Sequence, residues 1–225
     1  MQMASADDGA GAAGGPPGQI VFLNGTSSSG TTSLARAVQA AMPTPYLHTG
    51  LDPFLQCLPR VRADFDPTAG GAPPAAAGWL LPVHDGALVG APRLGPVALR
   101  LLTGMYQAIG AWAAAGVDVV VDDVIYDVRV LRAAVHALAA LPVLFVAIRC
   151  PLAVAEQRER DRGDRAPGGA RVFHGLVHPL VATHGRYDLE IDTAAYSPQA
   201  GAARIRAALL TGPPGRAFSE LRQRL

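Results

Sequence analysis

The residues best suited to chemistry form one short run, Gly25-Thr26-Ser27-Ser28-Ser29-Gly30-Thr31-Thr32-Ser33. It follows a short apolar segment and precedes a helical-looking Leu34-Ala35-Arg36-Ala37-Val38. Its spacing is that of the phosphate-binding G-x-x-x-x-G-K-[ST] loop. A glycine-bounded turn between a strand and a helix aims backbone N–H groups and the positive helix end at one point, which favours a polyphosphate there. The reading is therefore a site for ATP or GTP across Gly25 to Ser33, with the Thr32 hydroxyl placed to hold Mg2+. Thr31 stands where the motif has lysine. All 19 basic residues are arginine, so no lysine elsewhere in the chain can supply that charge.

Three further groups could complete a phosphoryl-transfer site. Asp52 follows a short strand in His48-Thr49-Gly50-Leu51-Asp52. At the carboxyl end of a parallel strand, its carboxylate could accept the proton of an attacking hydroxyl; a plain helix cap is the competing role. Val119-Val120-Val121 runs into Asp122 and Asp123, and a strand-terminal acid such as Asp122 suits a second Mg2+ contact. The run Glu156 to Arg165 reads as a charged helix ending near Gly163. Ion pairs within one helix account for its first half. Arg162 and Arg165, at the helix end beside a Pro-Gly-Gly segment, suit a lid that brings charge to the phosphates. His174 and His178 are four residues apart but lack the accompanying glutamate of a zinc motif, and Pro179 follows at once, so they are not read as metal ligands.

These groups need a scaffold, and the apolar pattern supplies one. Gln19–Leu23, Val117–Val121 and Val143–Ile148 are short, rich in β-branched residues and read as buried parallel strands. Weaker strands are expected at Tyr46–His48 and Asp188–Ile191. Ser33–Ala41, Val97–Ala115 and Val128–Ala140 have helical spacing between Gly or Pro boundaries. Strand and helix in alternation predict an α/β domain whose parallel sheet is covered on both faces. Its 225 residues suffice for one core. Residues 1–18 are expected to be disordered, 19–210 to form the domain, and 211–225 to be a tail with at most one loose helix at Ala217–Arg224. The Pro- and Gly-rich stretch 60–96 reads as an irregular insertion with a hairpin near His84–Gly86.

A formal net charge of +1 without blocks of like charge excludes a nucleic-acid footprint and favours a small, neutral partner. No uninterrupted apolar run reaches the length of a membrane span. Two distant cysteines and no basic, apolar leader point to the cytoplasm. Nothing in the sequence sets an oligomeric state.

Taken together the motifs resemble the chloramphenicol phosphotransferase family of P-loop kinases. The resemblance rests on Leu23 to Ser28 with its loop, on Gly50-Leu51-Asp52, and on Val121-Asp122-Asp123-Val124. It continues through Arg149-Cys150 leading to Ala153-Val154-Ala155-Glu156 and Arg162-Gly163-Asp164-Arg165, and ends with His184 to Thr193. It implies a three-layer, nucleotide-kinase-like P-loop NTPase fold with a central parallel five-stranded sheet. It also implies ATP (or GTP) with Mg2+ as donor, an antibiotic-like hydroxyl as acceptor, Asp52 as general base, Arg162 and Arg165 as lid arginines over about 162–175, and Arg149 at the nucleotide. Thr31 and the insertion depart from the family pattern. The missing lysine motivates the alternative of a nucleotide- or metabolite-binding protein without transfer activity.

Overall fold

The structure, a computed structural model, describes residues 15–56, 79–80, 83–84, 87–162, 167–211 and 215–225. Five parallel strands form its centre: β1 (Ile20–Gly25), β2 (Tyr46–Gly50), β7 (Asp118–Asp123), β8 (Val143–Arg149) and β9 (Leu189–Asp192), in the spatial order β2-β7-β1-β8-β9. The remaining strands are two-residue pieces. β3 (Trp79–Leu80) pairs antiparallel with β6 (Arg93–Leu94), and β4 (Val83–His84) with β5 (Ala87–Leu88), the latter pair being the hairpin expected in the insertion.

Side chains along a strand alternate between faces, so a strand buried on both must be apolar throughout. β1 shows the result. Ile20 and Phe22 enter one core cluster with α3 (Pro96–Ala114), α4 (Val128–Leu138) and α9 (Ala217–Arg224), while Val21 and Leu23 enter a second with α1 (Thr31–Ala41) and α8 (Pro198–Thr211). Helix, sheet and helix make the three layers expected. The fold differs from the sequence reading at its end, because α9 is not loose. Phe218 is buried, with its ring 5.3 Å from Phe22 and 4.9 Å from Phe145. Asp188 explains the docking: its carboxylate accepts from the Phe145 amide at 2.9 Å and from the Arg216 and Ala217 amides at 2.7 and 2.9 Å. A carboxylate remote in sequence thus caps α9 and ties it to β8.

β1 lies mid-sheet; the chain runs from it to β2 on one side and later passes from β7 across it to β8 on the other, and this reversal opens a crevice at the carboxyl end of the strands. A partly buried polar chain braces that end. Asn24 donates from Nδ2 to Tyr187 Oη at 2.9 Å and accepts the Ile125 amide on Oδ1 at 2.9 Å. His178, on α7 (Val177–His184), has Nδ1 3.1 Å from Tyr187 Oη and Nε2 3.1 Å from the Ile148 carbonyl. A carbonyl only accepts, so Nε2 carries the proton and Nδ1 takes the tyrosine's. Burial, reinforced by the Arg149 charge, pushes the His178 pKa down to about 4.

Because that value lies below the ordinary 6.5, the unfolded chain binds a proton that the folded chain refuses, and the contribution of His178 to stability falls as pH drops from about 6.5 toward 4. With allowance for the ring's partial solvent contact, the loss is on the order of 1 kcal/mol. Urea unfolding at several pH values checks this. His178→Gln should be less stable near neutrality yet lose less on acidification; an unchanged acid slope would rule out His178 as its source.

Candidate active site

The loop between β1 and α1 is built around tight contacts. Gly30 has φ 90° and Ser28 φ 60°, both in the left-handed region, so the chain turns sharply enough to start α1 at Thr31. Gly25 has no room for a side chain, since a Cβ there would stand 2.5 Å from Ser29 Oγ and 2.6 Å from Thr31 Oγ1. Those two hydroxyls bond each other at 2.9 Å and are buried. Thr31 therefore occupies the lysine position as a packed, neutral group. The α1 N-terminus has no side-chain cap and no acidic residue in its first turn, which leaves its amides for an anion. Thr26 Oγ1 is buried without a hydrogen-bond partner among the described residues. An unsatisfied hydroxyl in a phosphate-type loop is the kind of group a bound oxyanion satisfies.

Behind the loop sits Arg158, on α5 (Leu152–Arg162). Its guanidinium donates to the Ser29 carbonyl at 3.2 Å, to Thr193 Oγ1 at 2.9 Å and to the Thr193 carbonyl at 2.8 Å. Thr193 Oγ1 also bonds the Ser29 carbonyl, at 2.5 Å. One arginine thus joins α5, the loop and the turn after β9. Sequence reading assigned Arg158 to surface ion pairing; its partners lie far along the chain, and only its four-residue offset from Arg162 hinted at an inward face.

In front of the loop a cleft of about 400 Å³ runs between α1, β2 and β7. Thr32 donates to Asp122 Oδ2 at 2.6 Å, which joins the two groups expected to hold a cation. Asp52, exposed in the first turn of α2 (Leu51–Gln56), and Arg162, at the end of α5, line the same cleft. The register explains the convergence. Asp122 pairs with Leu23 on one side and Gly50 on the other, so the loop after β1, the acid of β7 and the start of α2 meet at one level. A Cβ on Gly50 would stand 1.9 Å from the Asp122 carbonyl, so only glycine permits this approach. Oxygen donors at Thr32 and Asp122 fit Mg2+.

Two acids at the end of β7 have different roles. Asp123 points into the core, accepting from Tyr106 Oη on α3 at 2.7 Å and from the Val124 amide at 2.7 Å. Burial, with a further push from the charges of Asp122 and Asp52, raises its pKa to about 7 despite those two hydrogen bonds. It anchors the turn that presents Asp122. Sequence reading saw the pair of acids but not Tyr106, which lies 17 positions away on another element.

Not every expected residue reaches the cleft. Arg149 makes a bidentate contact to Glu190 at 2.8 and 3.2 Å and stands 5.8 Å from the Tyr187 ring centre. It lines a second cavity of about 520 Å³ with Cys150, His174 and His178. His174 ends α6 (Gly169–His174) and His178 lies in α7, so the two histidines share no helix face. Arg165 lies outside the described residues. His48, not singled out from sequence, lines the cleft with Nε2 3.8 Å from Asp122 Oδ2.

Residues 18–210 match the family described as chloramphenicol phosphotransferase-like protein. A Mycobacterium tuberculosis (strain H37Rv) protein named "Putative O-phosphotransferase Rv2636" is 32% identical over 219 residues, covering 94% of this chain and 91% of that protein. Among solved structures, the Mycobacterium tuberculosis APS kinase CysC in complex with AMPPNP and APS aligns with TM-score 0.55 at 18% identity, over 88% of this chain and 100% of that one. The Deinococcus radiodurans tunicamycin resistance protein aligns with TM-score 0.53 at 20% identity, over 88% and 99%. At these identities the two structures establish a shared fold.

The contacts of Arg158 yield a test of the loop itself. Arg158→Ala should speed amide hydrogen exchange at residues 26–31 and weaken calorimetric nucleotide binding by about tenfold, the scale of one charge-assisted hydrogen bond. Arg158→Lys should recover little, because an ammonium cannot span Ser29 and Thr193 as a planar fork does. Exchange unaltered in both variants would show that the loop holds its shape unaided.

Proposed function

The chain belongs to the chloramphenicol phosphotransferase-like family, and from that premise we propose that it transfers the γ-phosphoryl group of ATP, or GTP, to a hydroxyl of a small molecule, an antibiotic or related natural product. The observation that carries the reading is one cleft shared by the glycine-bounded loop, the Thr32–Asp122 pair, Asp52 and Arg162. Donor phosphates on the loop and an acceptor hydroxyl at Asp52 would thus face each other.

The acceptor oxygen attacks the γ-phosphorus, its proton passes to Asp52, and the bond from phosphorus to the β,γ-bridging oxygen breaks, leaving the nucleoside diphosphate. Loop amides from Gly25 to Ser33 hold the β- and γ-phosphates. Thr32 and Asp122 would hold Mg2+, which supplies charge neutralisation at the phosphates when bound. Arg162 supplies, from α5, part of the charge that lysine gives elsewhere, and Arg165 is assigned to the same lid. Arg149, paired with Glu190, lines a second cavity that Thr26 of the loop also borders, and is assigned to the nucleotide from that side.

The Thr31–Ser29 bond bears on the rival reading of a protein that binds nucleotide without transferring phosphate. A decayed lysine site would leave a gap; here Thr31 is packed and bonded, which favours a site built around a neutral residue.

Labelled ATP, Mg2+ and a panel of hydroxylated antibiotics test the activity directly. Asp52→Asn should reduce transfer by about a hundredfold or more while calorimetry finds ATP affinity little changed. Retained turnover would remove Asp52 as base. Thr31→Lys should lower activity, since Ser29 loses its partner and a long chain must leave a buried position; a gain would mark threonine as a defect.

A further inference from the structure

The cleft contains a nitrogen donor that the oxygen pair does not require. Asp122 Oδ2 is a shared atom: Thr32 Oγ1 donates to it at 2.6 Å, and His48 Nε2 lies 3.8 Å away. The sheet register makes the meeting necessary. Gly50 pairs with Asp122 and His48 with Val120, so His48 stands two residues lower on the same face of β2, its ring in the cleft with Thr32 and Asp122. His48 and Asp122 are both partly buried, at 23% and 18% side-chain exposure. The imidazole is therefore neither loose on the surface nor locked in the core. Its Nε2 has no other described partner.

A site of hydroxyl and carboxylate alone suits Mg2+, which takes oxygen ligands. An imidazole changes the preference, because ring nitrogens bind first-row transition ions well and Mg2+ poorly. We propose that His48 is a third ligand of the cation site, giving a Thr–Asp–His donor set that prefers Mn2+, or a similar nitrogen-accepting divalent ion, over Mg2+. The inference rests on the phosphotransferase reading, since that reading places a cation at Thr32 and Asp122. It narrows which cation. The 3.8 Å separation is too long for a strong hydrogen bond but short enough for both atoms to bind one ion.

The test uses the full chain with Mn2+ and with Mg2+, each alone and with ATP. Mn2+ uptake is followed by loss of the free-ion paramagnetic signal, and Mg2+ by calorimetry. Pulsed paramagnetic resonance on protein carrying heavy-nitrogen histidine reads whether an imidazole nitrogen is bonded to Mn2+. The expected result is a histidine coupling in the unaltered protein that His48→Ala abolishes, with Mn2+ about tenfold weaker and Mg2+ changed less than about threefold. His48→Asn, which keeps a polar side chain without the ring nitrogen, should behave like His48→Ala. Mn2+ bound with ATP but without histidine coupling overturns this inference alone, as does equal loss of both ions in His48→Asn. If the unaltered protein binds neither ion nor ATP, the phosphotransferase reading and this inference fall together. The labelled, unsubstituted protein gives its answer even if a variant does not fold.

Discussion

A triphosphate carries several negative charges, and a protein that holds one must present positive ends without leaving them unsatisfied when empty. In the proposed function the loop between β1 and α1 would do this with backbone amides, whose direction is fixed only if the loop backbone is fixed. That constraint orders much of the surrounding structure. Thr31 and Ser29 bond across Gly25 on the inner side, and Arg158 with Thr193 grips the Ser29 carbonyl from outside. Held on both sides, the backbone can keep Ser28 in the left-handed region beside Gly30, a strain at the serine that a free turn would relax.

The rest of the site follows from parallel register. Neighbouring parallel strands end at one edge, and here Leu23, Gly50 and Asp122 stand at one level. Residues just beyond them in sequence, the loop, Asp52 and Val124, are delivered to the same crevice without further design. Asp123 secures the arrangement from below. Its carboxyl closes the turn onto the Val124 amide while Tyr106 holds it from α3, so the outward acid has a fixed base. The cost of burying that carboxyl appears in its raised pKa.

How much of this was legible depends on the range of the interaction. The five strands and the helices α1, α3 and α4 could be read because each is a local pattern: runs apolar on both faces, then helical spacing between breakers. The loop, Thr32, Asp122 and Asp52 could be read because motif spacing is also local, and the cleft brings them together. What escaped was long-range. α9 looked loose because its cap, Asp188, lies on another element, and its anchor Phe218 is one aromatic in a short polar helix. Arg158 looked like a solvated charge because Ser29 and Thr193 are 129 and 35 positions away. His48 escaped because only strand register sets it beside Asp122. The Arg149 pairing was long-range too: Glu190 on the adjacent strand engages it beside a cavity that Thr26 of the loop also lines.

The absent lysine then has a structural sense. An ammonium in the loop acts by proximity, and its removal must raise the demand on every other positive group nearby. In this chain those groups are the α1 N-terminus, the cation expected at Thr32 and Asp122, Arg162 at the cleft rim and the Arg158 guanidinium against the loop's outer side. Arg158 turns its bonds to Ser29 and Thr193, yet a fixed charge touching the Ser29 carbonyl raises the potential on the loop from behind. Because it is partly buried, solvent screens it less than a surface charge. On the proposed function the loop can thus carry a neutral Thr31 at its centre, since the field offered to an anion is distributed over its edges rather than concentrated in one side chain.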